Sequence, residues 1–127
     1  MPETAFGVAF RELRERRGLS LRDLAKLAEI DHAYIHRFET GDKEPPPADT
    51  LERVVRHLKP STHQLELIRF LRERTIDPAL ARHALDDPDA TPEILEIAST
   101  AVHRGTARPT PRELVERAIL AKAILDP

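Results

Sequence analysis

The tightest constraint on the fold lies in residues 18–41, GLSLRDLAKLAEIDHAYIHRFETG. Gly18 stops any helix that precedes it. Ser20-Leu21-Arg22-Asp23 is a capping box, in which a hydroxyl and a carboxylate three residues on each satisfy an orphan N–H of a new helix. Leu24, Ala25 and Leu27 are the apolar positions expected to turn inward on that helix. Asp31 is a natural N-cap for the next one, which reaches Thr40 and ends at Gly41. Two short helices joined by so tight a turn, the second with a polar free face, are how a small protein sets a helix into the DNA major groove.

The rest of the chain predicts more helices and no strands, because alternating β-branched runs and Asn-Gly or Asp-Gly turns are missing. Phe6, Phe10 and Leu13 recur at i, i+4 and i+7, giving a first helix over residues 4–16. Pro47 closes a proline run and can open a helix over residues 48–58, which Lys59-Pro60 breaks. Ser61-Thr62-His63-Gln64 is a second capping box, followed by a stripe of Leu65, Ile68 and Leu71. Asp77-Pro78 starts a short helix to about residue 85. Thr91-Pro92 and Thr110-Pro111 each put a threonine N-cap before a proline at the first helical position, opening helices expected to reach about residues 103 and 125. The fold class is therefore all-α: a bundle of four to five helices over residues 1–59, then a small helical domain over residues 60–127.

Composition narrows the function classes. With 40% hydrophobic but only 4% aromatic residues, the core is expected to be built from Leu, Ile, Val and Ala. No apolar run approaches the ~18 residues that span a bilayer, and MPETAFGVAF does not read as a secretory signal, so a soluble cytoplasmic protein is expected. The absence of cysteine removes disulfides, thiolate nucleophiles and thiolate metal sites. There is no Gly-rich phosphate loop, HExxH or nucleophile triad, and neither catalysis nor a cofactor is expected. Residues 1–59 carry eleven Lys/Arg against eleven Asp/Glu, and the whole chain has a net charge of −2. Phosphate contacts dominate non-specific DNA affinity. So balanced a module predicts weak binding to random sequence, relying on a few well-placed donors and on dimerisation.

On the helix over residues 31–40, successive side chains are ~100° apart. If Ile35 and Phe38 face the core, the opposite face centres on Ala33 and Thr40, with His36 and Arg37 flanking and His32 at its edge. Arg37 can bind guanine O6 and N7 bidentately, and Ala33 can touch a thymine methyl. His32 and His36 share a face, but no third ligand accompanies them, so no metal site is read there.

The residues Leu13-Arg14, Gly18-Leu19-Ser20, Leu24-Ala25, Ile30, Ile35, Phe38-Glu39, Gly41, Pro45 and Thr50-Leu51 fall in register over residues 6–58. This segment resembles the Cro/repressor-type (XRE family) helix-turn-helix domain. The resemblance implies a compact bundle with residues 31–40 as recognition helix, double-stranded DNA as partner, and a structural ion pair between Arg14 and Glu39. It implies a repressor in a bacterial or phage setting. The family often has a phosphate-contacting glutamine just after the capping serine. Here that position is Leu21, leaving Arg22 and helix-terminal N–H groups to compensate, with Lys43 as a further phosphate contact.

The second half carries more apolar surface than an appendage needs. On the last helix, Leu114, Ala118, Ala121 and Leu125 form one stripe and Val115, Ile119 and Ile124 another. A helix apolar over so wide an arc must be covered on two sides; one cover is its own chain and the other is expected to be a second copy. A homodimer also suits two recognition helices set one DNA turn apart. Asp77-Pro78, Thr91-Pro92, Arg104-Gly105, Arg108-Pro109 and the apolar last helix together are similar to the C-terminal region of the DdrO-type repressors of the DNA-damage response. That resemblance implies a regulatory zinc metalloprotease that cuts around His103-Arg104; the plainer alternative is that Gly105 ends a helix in an ordinary loop. Two other functions stay open: an antitoxin-like protein whose second half covers a toxin while the first autoregulates the operon, and an interaction module that has lost DNA binding.

Overall fold

The computed structural model describes residues 3–100 and 108–125, an all-α fold with no strand among them. Its helices are α1 (Ala5–Arg16), α2 (Leu21–Ala28), α3 (His32–Thr40), α4 (Ala48–Val55), α5 (Thr62–Glu73), α6 (Pro78–Ala84), α7 (Pro92–Ser99) and α8 (Pro111–Leu125), with a 3₁₀ turn at Arg56–Leu58.

Side chains start most of these helices. Thr4 Oγ1 accepts from Gly7 N–H at 3.0 Å, Asp31 Oδ1 from Ala33 at 3.0 Å and Asp77 Oδ1 from Ala79 at 3.1 Å. Complete capping boxes open α2 through Ser20 and Asp23 and α5 through Ser61 and Gln64. Thr110 Oγ1 accepts from Glu113 N–H at 3.2 Å at the head of α8. Each cap contributes about 1 kcal/mol. α4 is the exception: Pro47 precedes it and supplies no capping side chain.

Helix α1 lies against α3, α5 and α6, and the hydrophobic core runs without a break from Ala5 on α1 to Ala118 on α8. Phe6, Phe10 and Phe38 fill its first part, with ring centroids 5.0–5.8 Å apart and Phe38 edge-on to both others. Gly7 sets the approach of α1 to α3. A Cβ there would fall well inside contact distance of the Glu39 carbonyl oxygen. Glycine is needed because another helix's backbone occupies the space of a side chain.

Several sequence expectations shift. Leu27, expected inward, is 52% exposed, and Ala28 is buried in its place. Leu24, Ala25 and Ala28 lie within one ~100° arc, and Leu27 points well outside it. On α5 it is Leu67, with Ile68 and Leu71, that is buried, whereas Leu65 is only partly covered. Helix α7 stops at Ser99, short of residue 103, where the hydroxyls of Ser99 and Thr100 turn back onto the Leu95 and Ile97 carbonyls. Such back-bonding competes with the helical ladder. On α8, Leu114, Val115 and Ala118 are buried, chiefly along α7, while Leu120, Ile124 and Leu125 are 67%, 80% and 71% exposed.

Charged pairs tie the end of α6 to its neighbours. Arg16 on α1 donates to both oxygens of Asp86 at 2.8 Å. Arg112 on α8 donates to both oxygens of Asp87 at 2.9 and 2.8 Å, and His83 Nε2 lies 2.7 Å from Asp87. Hydrogen bonds from Arg16 hold the Asp86 carboxyl below the usual range. Burial pushes Asp87 up, but its bonds with Arg112, His83 and the Asp89 N–H outweigh that, and it too ends low.

Two predictions follow from these contacts. Gly7→Ala forces α1 off α3 and should cost about 1–3 kcal/mol in urea melts, with the loss concentrated where the two helices cross. As pH falls, the unfolded chain protonates first, near pH 4. The stabilisation from Asp86 and Asp87 is thus complete above about pH 4 and is lost as pH drops through their depressed folded-state values. Thermal melts should show a steep fall in Tm below that point, and a shallower one for Asp87→Asn.

Candidate nucleic-acid interface

The second helix of the tight pair is fixed from beneath by a buried ion pair. Arg14 Nε donates to Glu39 Oε2 at 2.7 Å, and Nη2 donates to Oε1 at 2.9 Å. Arg14 Nη1 donates to the Leu19 carbonyl at 2.8 Å. One guanidinium thus binds α1, the turn before α2 and the C-terminal end of α3. The Glu39 side chain is 2% exposed and that of Arg14 10%. The paired hydrogen bonds hold the Arg14 pKa above its ordinary value.

Above that pair, Ile35 and Phe38 point into the core at 0% and 1% exposure. Tyr34 stands at the helix edge, T-shaped against Phe38 with centroids 5.4 Å apart. On the outer side His36 and Arg37 are exposed, while His32, Ala33 and Thr40 are half-buried. Thr40 Oγ1 donates to the Arg37 carbonyl at 3.2 Å, so its hydroxyl proton is engaged on its own helix. His32 Nδ1 lies 3.8 Å from Asp31 Oδ1.

Gly41, at φ 89°, reverses the chain, and the Lys43 N–H then donates to the same Arg37 carbonyl at 3.1 Å. This brings the Lys43 ammonium over the Tyr34 ring, 5.9 Å from its centroid. A cation so placed is held loosely at the end of the helix rather than swinging free. Arg22, on the exposed first turn of α2, lines an open depression with Lys26, Glu29 and His32 at the α2–α3 corner. Leu21 packs partly against the core. His103 and Arg104 lie outside the described residues. Among the described residues no group of three or more His, Asp or Glu side chains is placed to hold a metal ion.

The formal balance of charge conceals a division. Among the described residues, Arg17, Arg22, Lys26, Arg37, Lys43, Arg53, Arg56 and Lys59 of the first half, and Arg108 of the second, have no carboxylate within ion-pair distance. By contrast Arg69, Arg72, Arg74, Arg82, Arg112, Arg117 and Lys122 are each paired with an Asp or Glu. Uncompensated cations therefore concentrate in the first half. Arg17 and Lys26 were missed in the sequence, although a signal for them exists: neither has an acid four residues away, whereas Arg11, Arg16, Arg112 and Arg117 do.

A family model described as a helix-turn-helix domain matches residues 5–68, from the start of α1 into α5. The chain belongs to the helix-turn-helix family. No curated protein and no solved structure matches it. The helix-turn-helix assignment implies DNA binding, and α2 and α3 both lie within the matched residues. No helix among the described residues is long and apolar enough to cross a membrane.

Because both charges of the central pair are buried, Glu39→Ala should cost the helix-turn-helix domain about 3–5 kcal/mol by leaving Arg14 unpaired. Replacing both residues, Arg14→Met with Glu39→Met, should recover much of that loss in the same denaturant melts.

Proposed function

We propose that this chain is a sequence-specific, XRE-type transcriptional regulator, a dimeric repressor that binds a (pseudo)palindromic operator with α3 in the major groove. The observation that carries this reading is the outer side of α3. It offers the exposed imidazole of His36 and the unpaired guanidinium of Arg37 beside small residues, flanked by unpaired cations on α2 and after α3. Arg37, His36, Ala33, Thr40 and His32 are assigned to the bases, and Arg22 and Lys43 to phosphates. Residues 1–59 do the reading and residues 60–127 the pairing.

Dimerisation is supported by α8. Its buried side is already covered by α7 and α6, yet Leu120, Ile124 and Leu125 remain exposed on its last turns. An apolar strip of this kind marks a contact surface, and a second copy gives the two-fold that a palindromic operator requires. Linking two readers raises affinity by effective concentration, without new contacts. Separating α8 by a zinc metalloprotease around His103-Arg104, as in DdrO-type repressors, would remove that gain; this cleavage is part of the proposal.

The test is fluorescence-anisotropy binding to the promoter DNA upstream of the chain's own gene, beside scrambled DNA and a salt series. Arg37→Ala should lose about 1–3 kcal/mol on the promoter and little on scrambled DNA. Lys43→Ala should weaken both DNAs alike and lower the salt slope by about 1. Ile124→Glu should convert a sedimenting dimer to a monomer. Equal, weak binding to both DNAs refutes the reading. Specific binding by a monomer removes the dimer and favours the antitoxin-like alternative, with another protein on α8.

A further inference from the structure

Four consecutive residues at the end of α6 are each gripped from a different direction. The Ala84 carbonyl lies 2.7 Å from His63 Nε2, and the Leu85 carbonyl accepts from Gln64 Nε2 at 3.4 Å, both side chains coming from the first turn of α5. Asp86 takes the fork of Arg16 from α1. Asp87 takes Arg112 from the first turn of α8. The backbone between them is wound tightly, with Asp86 N–H on the His83 carbonyl at 3.1 Å and Asp87 N–H on the Ala84 carbonyl at 3.2 Å. None of them can move far alone.

We propose that residues 84–87 are a joint that couples the seating of α8 to the order of α1, and through α1 to the recognition helix. Asp87 is 7% exposed. Without Arg112 its carboxylate keeps only His83 and the Asp89 N–H, and a buried charge so poorly matched moves toward water. That movement unwinds the turn and carries Asp86 away from Arg16. Two residues back on α1, Arg14 holds Glu39 at the end of α3. The path from α8 to the reading face is therefore Arg112, Asp87, Asp86, Arg16, Arg14 and Glu39. Loss of α8 from its seat loosens the reader itself, apart from any effect on a dimer. The functional consequence rests on α3 being the reading helix, but the coupling does not.

The experiment is amide hydrogen exchange on the full chain without DNA, so its outcome is independent of what the chain binds. Arg112→Ala should speed exchange in the last turn of α1 about tenfold, as a local opening does. Combined with Arg16→Ala it should add less than its own effect, since contacts in one network are not additive. Lys122→Ala, which breaks a pair with Glu93 farther along α8, should leave α1 at the wild-type rate. If Arg112→Ala fails to fold, Asp86→Asn cuts the joint from its exposed side. By reciprocity of coupling it should speed exchange in the first turn of α8. The proposal is overturned if Arg112→Ala affects α8 alone, if the two arginine effects simply add, or if the α1 effect vanishes at high protein concentration, which would assign it to dimer dissociation.

Discussion

A guanidinium and a carboxylate shut away from water determine where α3 can stand. Removing either Arg14 or Glu39 strands the other in a medium that cannot solvate it, at a cost comparable to a large part of the stability of a domain this size. The geometry is correspondingly strict, because Arg14 also carries the Leu19 carbonyl and fixes the turn that leads into α2. Gly7 completes the arrangement by letting the α1 backbone lie directly on the Glu39 carbonyl. Its two parallel hydrogen bonds hold α3 in one orientation on α1. Among the described residues every buried side-chain nitrogen or oxygen has a partner, as buried polar groups require.

What the sequence made legible was local. Capping boxes at Ser20 and Ser61, the aspartate caps at Asp31 and Asp77, and the threonine–proline starts at Thr91 and Thr110 are written in adjacent residues and need no tertiary information. The inner face of α3 was legible for the same reason, and placing Ile35 and Phe38 inward does leave His36 and Arg37 exposed, but Ala33 and Thr40, expected at the centre of the outer face, are half-buried. Leu27 could not be assigned this way. On an eight-residue helix the apolar arc is set by what packs against it, and the neighbours chose Ala28. The end of α7 was misjudged because the apolar pattern continues past hydroxyls that bond back to the helix. The hooking of Lys43 over Tyr34 depends on the left-handed turn at Gly41, which a sequence locates but does not shape.

Electrostatics were the least legible. With 33% of residues charged, the chain offers far more possible ion pairs than it forms, and contacts such as Arg16 with Asp86 span seventy positions. Only the fold selects among them. Its selection pairs most cations of the second half, two of them (Arg69 and Arg82) with acids of the first, and leaves unpaired cations in the first half interspersed with unpaired acids.

Tyr34 is the one tyrosine in a chain without tryptophan, and it stands on α3 between Phe38 and the Lys43 ammonium. Emission excited at wavelengths that phenylalanine does not absorb therefore originates on α3. A ligand that draws Lys43 away, or that stacks against the phenol, alters the emission of the helix it occupies. The chain carries a native optical reporter on α3, beside the Lys43 ammonium.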